Sequence, residues 1–319
     1  MPRPIIAVAD NVFPTFEPAK QALARVNPEL RFAKSGAPAD ILEVARDADG
    51  VLVTYAKLSA ALIGELTRCK AISRFGIGVD NIDLPAARAK GICVTYVPDY
   101  CIMEVSDHAM ALLLALARKV PLSNALVQGG RWEMPAVVPI QRLAGRTLGV
   151  IGFGNIGRAV TPKAKAFGLR VVAYDPNVPP EQIRERDAEP VSFDELLRQS
   201  DFISVHAPLT AETRGLVNAA AFAKMKRGAV IVNTARGPLM DEAALIEALN
   251  SGQIGGAALD VVTTEPLPPN SALTGRDNVI LSPHTAFYSE QALLELQTKC
   301  ATDMARVLAG EKPIYPVAM

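Results

Sequence analysis

The sequence predicts an α/β protein built on two parallel sheets. Short β-rich runs alternate with helical patterns along the chain, the order that parallel strands with right-handed helical crossovers require. The runs form two series, one before residue 101 and one after it. With 319 residues, the chain is long enough for two separate hydrophobic cores.

Ten runs read as strands. The first series comprises Ile5–Val8, Val51–Val53, Ile72–Phe75 and Ile92–Val94, with helical patterns around Ala60–Cys69 and Leu84–Ala89. The second comprises Leu148–Ile151, Val171–Tyr174, Phe202–Val205, Val230–Asn233, Ala257–Asp260 and Val279–Leu281. Six strands match the two halves of a dinucleotide-binding sheet.

Two longer helices, each with a stripe of apolar residues, are predicted in addition to the two series of strands. Apolar residues between Val105 and Leu116 predict a long helix that enters the second domain, and those between Leu293 and Val307 predict a last helix. We expect the last helix to dock back on the first domain. This predicts a discontinuous first domain, residues 1–100 and 287–319, an inserted domain, residues 101–286, and a cleft between them.

Composition excludes several classes of protein. Half of the residues are hydrophobic and the formal net charge is zero, so neither a nucleic-acid-binding surface nor a disordered chain is indicated. No signal-peptide pattern precedes Ile5, and the longest apolar run, Ala109–Ala117, is too short to span a bilayer. We therefore expect a soluble cytoplasmic protein without a membrane partner.

The cysteines show neither metal-ligand spacing nor a small-scaffold disulfide pattern. We interpret all four as buried and reduced, and we expect no metal: Cys69, Cys93, Cys101 and Cys300. The segment Met134–Ile140 is apolar without a helix or strand period. It is either a buried loop or a contact in a homodimer formed through the second domain.

The stretch from Leu148 to Asp175 has the organisation of a dinucleotide-binding unit. Because the two series of strands and helices have a similar layout, we expect two Rossmann-like domains: the discontinuous domain, which is flavodoxin-like, would bind the substrate, and the inserted domain would bind NAD. Its loop reads Gly152-Phe153-Gly154-Asn155-Ile156-Gly157 between a strand and a helix. Gly152 allows the tight turn, Gly154 lets a pyrophosphate approach the backbone, and Gly157 allows close helix packing. A glycine-rich turn without a ligand is the alternative interpretation.

Asp175 ends the next strand, 18 residues after Gly157. A carboxylate there can bind the adenosine ribose, and its charge favours NAD over NADP because Pro176 and Asn177 offer no arginine for a 2′-phosphate. Pro162 lies inside the expected helix, where it predicts a kink or a loosened turn.

Ionisable residues follow three predicted strands. Arg236 comes after Val230–Asn233, Glu265 follows the strand ending at Asp260, and His284 follows Val279–Leu281. Ligands bind at the carboxyl ends of such strands, so the three form a candidate site. The chain has two further histidines. His206 is expected in a cofactor-side wall, and His108 is interpreted as a packing or capping residue.

These motifs resemble the D-isomer-specific 2-hydroxyacid dehydrogenase family, which includes phosphoglycerate dehydrogenases, glyoxylate/hydroxypyruvate reductases and C-terminal-binding-protein co-repressors. The resemblance covers essentially the whole chain. Its marks are the glycine loop, Asn233-Thr234-Ala235-Arg236-Gly237, Ala258-Leu259-Asp260-Val261 with Glu265-Pro266, Ser282-Pro283-His284-Thr285 and Phe75-Gly76-Ile77-Gly78-Val79-Asp80-Asn81-Ile82-Asp83.

The resemblance implies a role for each site residue. Arg236 would bind the substrate carboxylate and carbonyl, His284 would be the acid/base, and Glu265 would orient it. Tyr55 and the backbone around Gly76, Ile77 and Gly78 would contact the substrate. The expected NAD contacts comprise the glycine loop, Asp175, and the following residues: His206, Ala207, Pro208, Thr213, Thr234, Ala235, Asp260 and Ala286.

The reaction expected from these groups is reduction of a 2-oxo acid, with hydride from NADH and a proton from His284. Phosphoglycerate dehydrogenases resembling this chain usually carry an arginine near the end of the Val51–Val53 strand, where this sequence has Thr54-Tyr55-Ala56-Lys57. Some also carry an extra regulatory domain, which we do not expect beyond Met319. We therefore favour a small D-2-hydroxy acid.

Two alternatives stay open. In the first alternative, the substrate is D-3-phosphoglycerate, and Lys57 or Arg74 pairs with the phosphate. Otherwise the chain is an NAD(H)-sensing binding protein similar to the co-repressors, towards which Tyr55-Ala56 and Val97-Pro98-Asp99-Tyr100 lean. Formate- or phosphite-type dehydrogenases on the same fold are a further alternative, of which the formate type is disfavoured because Glu265 stands where a neutral residue would be expected.

Overall fold

The computed structural model describes residues 3–318, and these divide into two compact units. One unit comprises the described residues up to Tyr100 together with those from Ser289 onward, and the other is Cys101–Tyr288. The second boundary predicted from the sequence lies two residues earlier, after residue 286. The predicted α/β class with parallel sheets is confirmed.

The first unit contains a five-stranded parallel sheet in the order β2-β1-β3-β4-β5. The strands are β1 (Ile5–Val8), β2 (Glu29–Phe32), β3 (Gly50–Val53), β4 (Ala71–Arg74) and β5 (Cys93–Thr95). The helices between them are α1 (Glu17–Leu23), α2 (Pro38–Ala45), α3 (Ala60–Gly64) and α4 (Leu84–Ala89). Every residue of β3 and β4 is buried, as central parallel strands covered on both faces require.

The second unit contains a seven-stranded parallel sheet in the order β12-β11-β10-β9-β6-β7-β8. Its strands are β6 (Thr147–Ile151), β7 (Arg170–Tyr174), β8 (Glu189–Pro190), β9 (Phe202–Val205), β10 (Ala229–Asn233), β11 (Ile254–Leu259) and β12 (Val279–Leu281). The chain runs outward from β6 to β8 and then from β9 to β12. The strand order therefore reverses between β6 and β9, which is where such sheets bind ligands.

Eight further α-helices lie within residues 3–318. They are α5 (Ile102–Ala117), α6 (Val120–Gln128), α7 (Asn155–Ala166), α8 (Pro180–Arg184), α9 (Phe193–Gln199), α10 (Ala219–Lys224), α11 (Glu242–Asn250) and α12 (Glu290–Leu308). The last of these, α12, lies in the first unit and packs against α1 and β4. In residues 3–318, no single helix is long and apolar enough to cross a membrane; α5 and α6, bent by 59°, pass that test only as a pair.

Several local predictions need correction. The helix predicted around Ala60–Cys69 ends at Gly64, and two short strands, β2 and β8, were missed. Cys69 and Cys93 are only half-buried, whereas Cys101 and Cys300 are buried as predicted. Helix α7 includes Pro162, and the Thr161 hydroxyl donates to the carbonyl of Gly157 at 3.1 Å. The kink or loosened turn expected at Pro162 stays a prediction.

The apolar segment around Met134–Val137 is not a buried loop. It forms a short 3₁₀ turn whose Met134 side chain is 72% exposed, next to Trp132, which is 89% exposed. Of the two interpretations of this segment, burial within the chain is therefore wrong.

Candidate active site

The loop between β6 and α7 has the backbone that the three glycines were expected to provide. Gly152 has φ +88°, and a Cβ atom there would lie 2.5 Å from the Ala207 amide nitrogen. A Cβ atom at Gly157 would collide with the carbonyl oxygen of Gly152. Gly154 differs, because a Cβ atom there would have no neighbour within 4 Å. The open space therefore lies beside Gly154, at the N-terminus of α7, where a pyrophosphate can approach.

Asp175 fastens this loop to the end of β7. Its Oδ2 atom accepts a hydrogen bond from the Phe153 amide at 2.8 Å, and Oδ1 accepts one from Asn177 at 2.9 Å. Each carboxylate oxygen has a second lone pair, so the side chain retains acceptor capacity for a ribose hydroxyl.

The segment after β9 lies directly against the glycine loop, because the His206 amide donates to the carbonyl of Ile151 at 2.7 Å. Its next turn is closed by Thr213, whose hydroxyl donates to the carbonyl of Pro208 at 2.6 Å. Burial lowers the pKa of His206 to about 4, so this ring is neutral near pH 7. Its Nε2 atom bonds to the Ser204 hydroxyl at 2.8 Å.

Two buried polar atoms in this region have no hydrogen-bond partner: Nδ1 of His206 and the hydroxyl oxygen of Thr234. Buried polar atoms in folded proteins are nearly always paired, so an unpaired one points to a missing ligand or water. Both belong to residues expected to contact the cofactor. The donor set and the open space at Gly154 therefore fit a dinucleotide.

His284 and Glu265 meet at the carboxyl edge of this sheet. Nδ1 of His284 lies 2.7 Å from Oε2 of Glu265, and Oε1 of Glu265 accepts a hydrogen bond from the Val262 amide at 3.1 Å. Burial raises the pKa of Glu265, but the hydrogen bond and charge of His284, with the charge of Arg236, together lower it below its usual value. Glu265 is therefore an ionised carboxylate that holds the imidazole at its Nδ1 atom.

Arg236 is carried by the loop after β10. The side chain of the buried Asn233 shapes this loop, since its amide group donates to the carbonyl of Arg236 at 2.9 Å and its oxygen accepts from the Ala235 amide at 3.0 Å. A Cβ atom at Gly237 would collide with the backbone carbonyl of Val262. Glycine therefore allows the loop carrying Arg236 to contact the loop carrying Glu265.

Asp260 lies at the end of β11 with its carboxylate buried. Oδ1 accepts hydrogen bonds from the Thr285 amide at 2.9 Å and the Ser282 hydroxyl at 2.6 Å, and Oδ2 accepts one from Ala286 at 2.9 Å. The carboxylate thus builds the loop that carries His284. From the sequence, Asp260 was expected only to contact NAD.

His108 is part of the same network. Its Nε2 atom lies 3.0 Å from the Ser282 hydroxyl, and the ring projects from the second turn of α5. The interpretation of His108 as a packing or capping residue missed this contact. The only signal in the sequence was a histidine on an otherwise apolar helical stripe.

The remaining predicted substrate contacts lie in the first unit. Tyr55 follows β3 and is 45% exposed, and Gly76, with φ +146°, follows β4. The two segments are tied together by the Asn81 side chain, which donates to the carbonyls of Thr54 and Ala56. Ile77 and Gly78 are half-buried in the second segment.

Asp10 was missed by sequence analysis, although it follows the β1 strand. Its carboxylate accepts hydrogen bonds from three consecutive amides, those of Thr54, Tyr55 and Ala56, at 2.6, 2.6 and 2.9 Å. An acidic residue at the carboxyl end of a predicted strand was the available signal. Asp10 fixes the backbone on which Tyr55 is presented.

Comparison with known proteins agrees with this organisation. A family model for the NAD binding domain of D-isomer specific 2-hydroxyacid dehydrogenases matches residues 110–286. Curated D-3-phosphoglycerate dehydrogenases are similar: that of Methanocaldococcus jannaschii is 41% identical over 300 residues, 93% of this chain and 57% of its own. That of Mycobacterium tuberculosis is 37% identical over 312 residues, 98% of this chain and 58% of its own. The chain thus spans little more than half the length of these relatives.

Solved structures match over nearly the whole chain. A glyoxylate reductase from Paecilomyes thermophila is 30% identical, covers 99% of both chains and has a TM-score of 0.90. A D-lactate dehydrogenase from Aquifex aeolicus, solved with NAD and lactic acid, is 29% identical, covers 96% of both chains and has a TM-score of 0.88.

Proposed function

Because the chain belongs to the D-isomer specific 2-hydroxyacid dehydrogenase family, with that family's NAD binding domain in its second unit, we propose that it interconverts a small 2-oxo acid and the D-2-hydroxy acid. The observation that carries the proposal is the 2.7 Å contact between His284 and the Glu265 carboxylate, beside the charge of Arg236. An ionised carboxylate on an imidazole is the arrangement by which a histidine general acid/base is oriented.

NAD(H), when bound, supplies or accepts the hydride. In reduction, His284 donates a proton to the substrate oxygen, and in oxidation it removes the hydroxyl proton. Because Nδ1 is bonded to Glu265, the proton is exchanged at Nε2. The guanidinium of Arg236 has planar paired donors, which suit a carboxylate next to a carbonyl. Substrate contacts by Tyr55, Gly76, Ile77 and Gly78 stay a prediction.

The test is NADH oxidation by the purified protein with glyoxylate, pyruvate, hydroxypyruvate and longer 2-oxo acids, alongside His284→Ala. We expect turnover of at least one compound and a loss of at least about 10²-fold in kcat in the variant. NADH affinity should change little. An exposed glutamate on α11, changed in Glu247→Gln, is the control. A His284→Ala variant that retains its kcat would overturn the assignment.

A second candidate substrate is D-3-phosphoglycerate, favoured by the names of the curated relatives. Hydroxypyruvate and 3-phosphohydroxypyruvate differ only by the phosphate, so their kcat/KM values decide between the candidates. We expect the unphosphorylated compound to react better, because the first exposed side chain after β3 is Tyr55, which carries no positive charge. A tenfold preference for the phosphorylated compound would reverse the assignment.

The remaining alternative is an NAD(H)-sensing binding protein. Tight NADH binding without turnover of any 2-oxo acid, phosphorylated or not, would favour it over the enzyme.

We further propose that the protein forms a homodimer and that it is located in the cytoplasm. The dimer is supported by exposed apolar side chains of the second unit, among them Val120, Trp132, Met134 and Val138. Such side chains, when clustered, are typical of a surface that another protein covers. Light scattering should give twice the monomer mass for the wild type and a lower mass for Trp132→Ser with Met134→Ser. A monomeric wild type would refute the dimer.

A further inference from the structure

The backbone of the loop that carries His284 is unusual. His284 has φ +53°, in the left-handed region that residues other than glycine seldom adopt. A residue stays in this region only when its surroundings fix it there. Here the His284 amide donates to the carbonyl of Asp260 at 2.8 Å, and the next two amides donate to the Asp260 carboxylate at 2.9 Å each.

The protons of the neighbouring network can be assigned by elimination. The Ser282 hydroxyl donates to Oδ1 of Asp260, 2.6 Å away, and this uses the single proton of that hydroxyl. Ser282 must then accept from Nε2 of His108, 3.0 Å away. His108 is therefore the first donor in a hydrogen-bonded path that runs from His108 through Ser282 to Asp260, and its Nε2 atom carries a proton.

We propose that His108 is a positioning residue for His284, acting through Ser282 and Asp260. This inference rests on the proposed function, because it assigns a role in that reaction. The hydrogen bond from His108 holds the Ser282 hydroxyl in line with Asp260, and the carboxylate in turn holds the amides on the C-terminal side of His284. An imidazole is suited to this task because it reaches Ser282 from a different element, α5, 174 residues away in sequence.

The catalytic test compares four variants. His108→Leu removes the donor, His108→Gln supplies an amide donor near the position of Nε2, Ser282→Ala breaks the path, and the fourth combines His108→Leu with Ser282→Ala. We expect His108→Leu to lower kcat by about fivefold, the effect of one hydrogen bond, with little change in KM for NADH. His108→Gln should restore most of the loss. An exposed position on the same helix, changed in Ala111→Ser, is the matched control.

The double variant separates positioning from general damage. If His108 acts through Ser282, the combined variant should have the kcat of Ser282→Ala alone. Multiplied losses in the double variant would overturn the proposal, because the two side chains would then act independently. Equal losses in His108→Gln and His108→Leu would also overturn it, since the donor would not matter.

Hydrogen–deuterium exchange of the peptide that contains Thr285 and Ala286 tests the same path without substrate. We expect exchange several-fold faster in His108→Leu and Ser282→Ala, and close to the wild-type rate in His108→Gln. A wild type that reduces no 2-oxo acid would refute the proposed function, whereas the exchange rates would still decide whether His108 holds the loop. Unchanged exchange in His108→Leu would overturn the proposal.

Discussion

Replacing Glu265 by glutamine isolates the charge of this side chain, because the two side chains have the same shape. The carboxylate accepts from two donors, Nδ1 of His284 at 2.7 Å and the Val262 amide at 3.1 Å. Glutamine has one acceptor oxygen, so its NH₂ group must face one of these donors. If the oxygen stays on His284, a charged hydrogen bond becomes a neutral one, a difference of about 1 kcal/mol or about fivefold in rate.

If the NH₂ group turns towards Nδ1 instead, the ring is driven to the opposite tautomer. The loss then approaches the roughly 10⁴-fold seen when the orienting carboxylate of a histidine base becomes an amide. We therefore expect Glu265→Gln to lower kcat by at least about fivefold. Steady-state NADH oxidation measures this, with Glu247→Gln as control. A kcat within twofold of wild type, while His284→Ala is inactive, would refute the role of the charge.

Three further predictions concern stability and cofactor choice. Because the pKa of His206 is about 4 in the folded protein against 6.5 for an unperturbed ring, the unfolded chain binds more protons between these values, and the free energy of unfolding falls as the pH drops through this range. The free energy of unfolding, measured with urea, should therefore differ less between pH 7 and pH 4.5 in His206→Gln than in the wild type, by up to about 3 kcal/mol. Gly237→Ala should cost about 1–3 kcal/mol and lower kcat, since the new Cβ collides with Val262, whereas Gly64→Ala, with open space around it, should not destabilise. Asp175→Asn should raise kcat/KM for NADPH relative to NADH by about tenfold, because it removes the charge that repels a 2′-phosphate.

Each of these has a result that would contradict it. For His206 it is an unchanged pH dependence in the variant, and for Gly237 it is a melting temperature equal to that of Gly64→Ala. For Asp175 it is an unaltered ratio of the two cofactors.

The central strands could be predicted because they are buried on both faces and therefore appear as continuous apolar runs. The edge strand β2 could not, because Glu29 and Arg31 are half of its four residues and form an ion pair with each other. Only two of its residues are apolar, which is too weak a pattern to separate from a loop. The two-residue strand β8 carries no periodic signal at all.

The positions of Arg236, Glu265 and His284 followed from topology, since parallel strands end at one edge of a sheet. The interactions that shape their loops did not follow, because they join residues far apart in sequence. His108 and Ser282 are 174 residues apart, and Asp10 is 44 residues from the nearest amide it binds. Neither pairing has a local spacing that a sequence pattern could reveal.

The loops after β10, β11 and β12 support one another. The backbone at Gly237 lies against Val262, the Val262 amide donates to Glu265, and Glu265 bonds to His284. The His284 amide returns to the carbonyl of Asp260, at the end of β11. Since each contact sets the geometry of the next, substitutions along this path should not have additive effects on kcat. The catalytic geometry is therefore a property of the three loops together, and the positive φ of His284 is maintained by contacts on both sides of the residue.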